Sequence, residues 1–236
     1  MRLLKQLADN RKSDSLATRM RRARFALFQA RLDRLTPPFR ILDVGGRANF
    51  WAQMGFSERP GIEVVLLNLT TEEVTRPGFQ MLKGDARDLS AFADGAFDVV
   101  FSNSVIEHLG SLAHQQRMAA EVRRVGRCYF VQTPNRAFPL EPHFLVPGFQ
   151  WLPLAAQVAL VRRFNLGWYR RQPDPGAALA LVAEHRLLTQ RELQALFPEA
   201  EILHERVLGL TKSLIACGGW PEETPNRRPA GGGGRN

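Results

Sequence analysis

Cysteine is scarce in this sequence, with only Cys128 and Cys217 among 236 residues. Both sit in apolar, strand-like runs, so they read as two buried thiols in a reducing compartment and not as a disulfide framework. No cysteine and histidine cluster has the spacing of a structural zinc site. Long apolar runs are missing too. The longest, Phe144 to Val161, is broken by Pro147, Gln150, Pro153 and Gln157, whereas a membrane-spanning helix needs about 20 largely apolar residues. The opening MRLLKQLADNRK interrupts its apolar stretch with Lys5 and Asp9, and no small-residue cleavage site follows, unlike a secretory signal. These absences lead to the expectation of a cytoplasmic protein, with peripheral contact at the inner face of the membrane left open.

What is present in excess is positive charge, a formal +9. Residues 1–40 hold eleven Lys or Arg against three acids, while the remaining 196 residues hold 21 basic and 20 acidic side chains. The body is therefore near neutral, which argues against nucleic acid as a partner, and the basicity belongs to an N-terminal segment, residues 1–37. Within it, residues 15–35 read as a helix. Leu16, Met20, Ala23, Leu27 and Ala30 repeat at helical spacing, with Phe28, Leu32 and Leu35 widening the stripe and arginines filling the rest. This helix is a candidate cap over the body, a candidate for peripheral contact with anionic lipid, or an RNA contact.

Beyond Pro38 the pattern alternates. Strand-like runs RILDV (40–44), IEVVLLNL (62–69), FQMLK (79–83), FDVVFS (97–102) and RCYFVQT (127–133) are separated by turns and helical segments, including a polar helix over about 112–125. That rhythm predicts an α/β fold with a doubly wound, mostly parallel sheet. Residues 134–185 interrupt it with proline, aromatics and an apolar helix near 151–164, and read as an inserted lid. Thr189 and Glu192 have capping-box spacing. Two strands near 200–208 and 211–217, joined at Gly209, are expected to be antiparallel. Residues 221–236 read as a disordered tail. The main domain is thus 38–220.

In open α/β sheets, ligands lie at the carboxyl ends of strands. The first end, Asp43-Val44-Gly45-Gly46-Arg47-Ala48-Asn49, lacks the G-x-G-x-x-G of dinucleotide enzymes, which counts against a nicotinamide oxidoreductase. An acid before a glycine turn suits a ligand carrying an amine or positive charge, though a plain tight turn also explains it. The second end carries Asn68 and Leu69, where Asn68 is either a ribose acceptor or a turn former. The third, Asp85-Ala86, is either an adenine contact or a cap. The fourth carries polar Ser102, Asn103 and Ser104, followed by Glu107 and His108.

Together these segments resemble the class I S-adenosylmethionine-dependent methyltransferases of the type 11 kind, from about residue 38 to 217. The run D-G-x-F-D-V-V-x-x-x-x-V-x-E-H-L, Asp94 to Leu109, carries the resemblance most specifically, with LLTQRELQALFPEAEI beside it. The resemblance implies a Rossmann-like, seven-stranded sheet with an antiparallel last strand and S-adenosyl-L-methionine as cofactor. The methionine part would lie near Asp43, Gly45 and Gly46, the ribose at Asn68 and Leu69, the adenine at Asp85 and Ala86, and the reacting methyl near Ser102, Asn103 and Ser104. Two departures stand out: Arg47 and Asn49 occupy the family's later glycine places, and Asn68 replaces its usual ribose acid. TPNRAFPLEPHFLVPGFQWLP (133–153) resembles methyltransferases of bacterial glycans and lipid-linked intermediates.

That second resemblance points to O-methylation of a sugar, glycan or lipid-linked small molecule, with Glu141 and His143 in the acceptor site. A hydroxyl acceptor must lose its proton, and His143 is the first candidate base, followed by His108 and Glu141. No metal ligand set is assigned, although Glu107 with His108 and Glu141 with His143 could share a divalent ion. The competing functions are an RNA methyltransferase, disfavoured by the neutral body and the Ser102-Asn103-Ser104-Val105 tetrapeptide, and a non-catalytic binding or scaffold protein, favoured by Arg47 and Asn68.

Overall fold

A computed structural model describes residue 6 and residues 15–56 and 59–222. The expected disordered tail, from residue 223 onward, and most of residues 1–14 lie outside the described residues. The strands are β1 (Phe39–Val44), β2 (Ile62–Asn68), β3 (Phe79–Lys83), β4 (Phe97–Asn103), β5 (Gly126–Pro134), β6 (Glu201–Val207) and β7 (Leu210–Gly218). They form one seven-stranded sheet in the order β3-β2-β1-β4-β5-β7-β6. β1 to β5 pair in parallel, and β7 inserts antiparallel between β5 and β6. The predicted doubly wound sheet with a closing antiparallel pair is therefore the observed one. The order reverses between β1 and β4, so the carboxyl ends of those two strands open the crevice in which such sheets hold ligands.

The helices are α1 (Leu16–Leu32), α2 (Ala48–Gln53), α3 (Leu112–Val125), α4 (Leu154–Arg163), α5 (Pro175–Glu184) and α6 (Gln190–Leu196). One sheet face packs Val65, Val100 and Val131 against α3 and α6, through Met118, Val122 and Leu193. The capping box at the start of α6 forms as predicted, with Thr189 and Glu192 each satisfying the other's backbone. The opposite face packs Ile41, Leu66, Phe101 and Phe130 against Phe25 and Phe28 of α1 and Trp51 of α2.

That second layer corrects part of the stripe expected for α1. Phe28 and Leu32 of that stripe face inward, but Leu16 and Leu27 do not, being 43% and 47% exposed. The inward face is Thr18, Arg24, Phe25, Phe28 and Leu32, and aromatic rings win it because they bury more surface than alanine or leucine. Arg24 joins them because its charge is met inside: Nη2 donates to both Glu205 oxygens at 3.0 and 2.8 Å. Arg31 similarly pairs with Glu201. The basic helix is thus a layer packed over the body, in line with the cap reading, and Arg24 and Arg31 answer the acids Glu205 and Glu201 of β6.

The insertion also holds more than expected. Besides the apolar helix α4 it contains α5, capped by Asp174, whose side chain accepts from Ala177 N, with Pro175 in the first turn. α4 and α5 enclose a small third core of Phe144, Phe149, Val161, Leu166, Ala178 and Val182. Among the described residues no helix is long and apolar enough to cross a membrane.

Phe28 is fully buried, with ring centroids 4.5 Å from Phe101 and 5.3 Å from Phe130. Phe28→Ala is expected to destabilise the whole domain by about 3–5 kcal/mol, measured by urea unfolding. A loss confined to α1, with an unchanged global transition, would show the helix to be peripheral.

Candidate functional site

The site begins where β1 ends. Gly45 has φ +78, and a Cβ there would come within 2.4 Å of the Val105 side chain. A Cβ on Gly46 would meet the Asp43 carboxyl at 2.4 Å. Both positions need glycine, and the backbone they bare is what a ligand can approach. Asp43 is 2% exposed and lies beneath this turn, where Trp51 Nε1–H donates to Oδ2 at 2.6 Å. Burial pushes its pKa up to about 7, against the pull of the indole hydrogen bond. Its carboxyl faces the aromatic layer, so in this structure it supports the turn from below.

Asn68, at the end of β2, donates through Nδ2 to the carbonyls of Gly45 and Gly46, each at 3.2 Å. It ties the second strand end to the first, and its Oδ1 can still accept. Leu69 beside it is exposed. A carboxylate missed in the sequence stands nearby: Glu72 accepts from Ala48 N, at the start of α2, at 3.1 Å. Arg47 reaches out toward the same Glu72 at 3.9 Å with its side chain 64% exposed. No strand pattern marks Glu72, since it lies in the irregular chain after β2.

Asp85, after β3, accepts from Arg87 through its backbone N, Nε and Nη2 at 2.9, 2.9 and 2.5 Å, and these bonds hold the carboxyl below its ordinary range. Ala86 lies within that turn. At the end of β4, Ser102 is fully buried and its Oγ has no hydrogen-bond partner. Asn103 Oδ1 accepts from Arg24 Nη1 at 2.5 Å, so α1 reaches the crevice floor. Ser104 adopts φ +57, and its Oγ donates to Gln132 Oε1 at 2.9 Å. A non-glycine residue in this left-handed region stores strain, and such strain gathers at functional sites.

The acceptor-side candidates come together across three elements. His108 lies in the 3-10 turn Ile106–Leu109, His143 in the loop after β5, and His185 at the end of α5. Their ring centroids are 4.8, 4.9 and 4.5 Å apart for the pairs 108–143, 108–185 and 143–185. Glu141 is 2% exposed and accepts from the backbone N of His143 and of Phe144 at 2.7 and 2.6 Å, and faces His143 Nδ1 at 2.7 Å. Burial disfavours charge on His143, but this carboxylate outweighs it and raises the pKa. Burial, helped by His143 and then His185, pushes His108 down to about 3. Burial and then His143 lower His185 as well. Glu107 is fully buried; Thr133 Oγ1 donates to its Oε2 at 3.0 Å, Oε1 has no partner, and burial raises its pKa.

His185 was missed in the sequence because α5 was missed, and nothing local distinguishes it. Of the Glu–His pairs that could share an ion on the sequence, Glu141 serves as a hydrogen-bond acceptor for His143 and Glu107 for Thr133, while His108 and His143 stand beside His185. A cavity of about 200 Å³ opens beside it, lined by Glu141, His185, Arg136 and Arg186. A larger cavity, about 800 Å³, lies at the opposite edge, among the first residues of β1, β2 and β3, away from the ligand-binding strand ends.

Residues 42–128 match the family model of the methyltransferase domain. A SAM-dependent methyltransferase from Methanosarcina mazei has a similar structure, with TM-score 0.51 and 14% identity over 79% of this chain and 94% of that one. A protein described as a possible exported protein from Bordetella parapertussis aligns with TM-score 0.50 and 13% identity over 83% of this chain and 66% of the other. An uncharacterized Mycobacterium tuberculosis protein is 39% identical over 62 residues, 26% of this chain. The match spans 21% of that curated relative's length. The family match thus covers residues 42–128, and the chain as a whole shares the Rossmann-like fold of these structural neighbours.

Asp43 provides a pH test of the turn. Its folded pKa, about 7 against an ordinary 3.8, means the folded state binds the proton more tightly than the unfolded chain. Stability should therefore fall as pH rises through the window from about 4 to 7, by at most about 1.4 kcal/mol per pH unit. Asp43→Asn should lack this fall, so urea unfolding at several pH values is expected to favour the variant increasingly toward pH 8. Parallel pH profiles for the two proteins would refute the assignment.

Proposed function

We propose that this protein is an S-adenosylmethionine-dependent methyltransferase that O-methylates a sugar, glycan or lipid-linked small molecule. The observation that carries the reading is the meeting of three features at one sheet edge: the bared Gly45–Gly46 turn, the strained end of β4, and the Glu141–His143 pair. The chain's residues fit the cofactor. A Cβ at Gly45 or Gly46 would strike Val105 or Asp43, so both places keep a bare backbone that a ligand can approach, and the buried Ser102 Oγ has no partner. The methionine moiety would rest on the turn held by Asp43, Gly45 and Gly46, the ribose between Asn68, Leu69 and Glu72, the adenine near Asp85 and Ala86, and the methyl before Ser102, Asn103 and Ser104.

Bound S-adenosylmethionine supplies an electrophilic methyl group, and the protein's task is to hold an acceptor oxygen in line with it. Glu141 fixes the His143 ring through Nδ1, which leaves Nε2 to take the hydroxyl proton. His108 packs against that ring and limits its rotation. The insertion supports an acceptor with an apolar part. Trp151, Leu152, Leu154, Phe164 and Trp168 are exposed on it, beside Arg162, Arg163, Arg170 and Arg171. Tryptophan and arginine together suit the boundary between water and anionic lipid. The lipid contact offered as one alternative for residues 15–35 fits this surface better, because the aromatic face of α1 is spent in the core.

Two observations favour a non-catalytic reading: Asp85 is engaged by Arg87, and Asn68 by the glycine carbonyls. Calorimetric titration with S-adenosylmethionine and S-adenosylhomocysteine separates the two readings. The folded protein is expected to bind both, Glu72→Gln to bind about 10-fold more weakly, and Gly46→Val not at all. Absence of binding by well-folded, ligand-free protein would overturn the methyltransferase assignment. With radiolabelled cofactor and lipid-linked or free sugars, His143→Gln is expected to slow transfer by about 10²–10⁴ while leaving S-adenosylhomocysteine affinity unchanged. An unchanged rate would remove His143 as the base.

A further inference from the structure

We propose that His108, His143 and His185 form a binding site for one divalent transition-metal ion at the acceptor side of the crevice. One ring nitrogen from each lies within 4.8 Å of the others. The three come from separate elements, so no local sequence constraint brings them together. The surroundings match what imidazole ligands need. A ligating histidine holds its ring by donating the other N–H to a carboxylate or carbonyl. His143 Nδ1 faces Glu141 Oε1 at 2.7 Å, His185 Nδ1 faces Leu181 O at 2.9 Å, and His108 Nδ1 lies 4.0 Å from Glu184 Oε1. The Nδ1 contacts of His143 and His185 turn their Nε2 atoms toward a ligand, whereas the 4.0 Å from His108 to Glu184 is no hydrogen bond and leaves either of its ring nitrogens to serve.

Three neutral nitrogens select zinc, cobalt, nickel or copper over magnesium and calcium, which prefer oxygen. With bonds near 2.0–2.1 Å, a tetrahedral ion sets its ligand nitrogens roughly 3.4 Å apart. The rings must therefore draw together from their present spacing. His185 has the freedom to do so by releasing the Tyr169 hydroxyl, which sits 2.8 Å from its Nε2. Three protein ligands leave a fourth position for water or an acceptor oxygen. Next to His108, the unpartnered, buried Glu107 Oε1 is an oxygen that such a water could donate to. An ion held here competes with a proton for the His143 ring, so the metal-free and metal-loaded proteins would handle an acceptor differently. The site itself does not depend on the methyl-transfer reading.

Untagged, chelator-treated full-length protein titrated with Co(II) is expected to give a visible d–d band that saturates at one ion per chain and is displaced by Zn(II). His185→Ala should lose more affinity than the about 10–100-fold that an outer-shell change such as Glu141→Gln costs. Tyr169→Phe, which frees His185 Nε2, should bind more tightly. No d–d band in folded wild-type protein overturns the site, as does His185→Ala binding Co(II) with unchanged affinity and a native circular dichroism spectrum. Weaker binding by Tyr169→Phe also counts against it. Cobalt binding without S-adenosylmethionine binding would retain this site and remove the methyltransferase reading; the reverse result would do the opposite.

Discussion

The buried hydrogen bond between Trp51 and Asp43 is the constraint on which the rest of the molecule turns. It joins the residue two places before the glycine turn to the helix that follows it, and so fixes the angle at which the chain leaves β1. Trp51 is also the hub of the aromatic layer, with rings of Phe25, Phe56 and Phe101 at 5.5, 4.9 and 5.7 Å. One side chain thus couples the shape of the ligand-facing turn to the packing of α1 against the sheet. A charge on Asp43 in that apolar setting is costly, and the carboxyl stays close to neutrality because of it.

From that anchor the site is assembled by cross-bracing between strand ends. Asn68 fastens β2 to the glycine turn, Glu72 fastens the following loop to α2, and Arg24 connects α1 to Asn103 and on to Glu205 of β6. Rigid elements linked in this way hold positions to the tolerance that in-line chemistry demands. The acceptor side is built differently. Its histidines converge from a 3-10 turn, a loop and a helix end, and only Glu141 is firmly enclosed by backbone donors. The strand-end side is thus tightly cross-braced, while the histidine side rests on less regular elements.

The strands were legible because runs such as FDVVFS are β-branched and aromatic, and because alternation of short strands with helices leaves few topologies. The glycine turn was legible for a steric reason that the structure makes explicit at Gly45 and Gly46. The inward face of α1 was legible only in part: Phe28 and Leu32 lie in the expected stripe, but Leu16 and Leu27 satisfy helical spacing as well as Phe25 does. Counting Arg24 as polar hid a residue whose charge is matched only from β6, 181 residues away. α5 escaped notice because its GAALALVA run has no polar stripe, and with it went His185. Contacts that depend on two distant segments leave no mark on either one.

The same sterics bear on the departures in the glycine turn. Glycine is required where a Cβ would strike something, and at Gly45 and Gly46 it would strike Val105 and Asp43. Arg47 and Asn49 stand where the family that the sequence resembles has further glycines, yet both are exposed, and Arg47 extends toward Glu72. A side chain that points outward takes no space from a ligand lying on the turn. The charge missing at Asn68 is likewise present four residues later in Glu72, whose carboxylate has reached back to the start of α2. Both departures thus leave the turn itself unchanged, with the two glycines that its geometry makes indispensable.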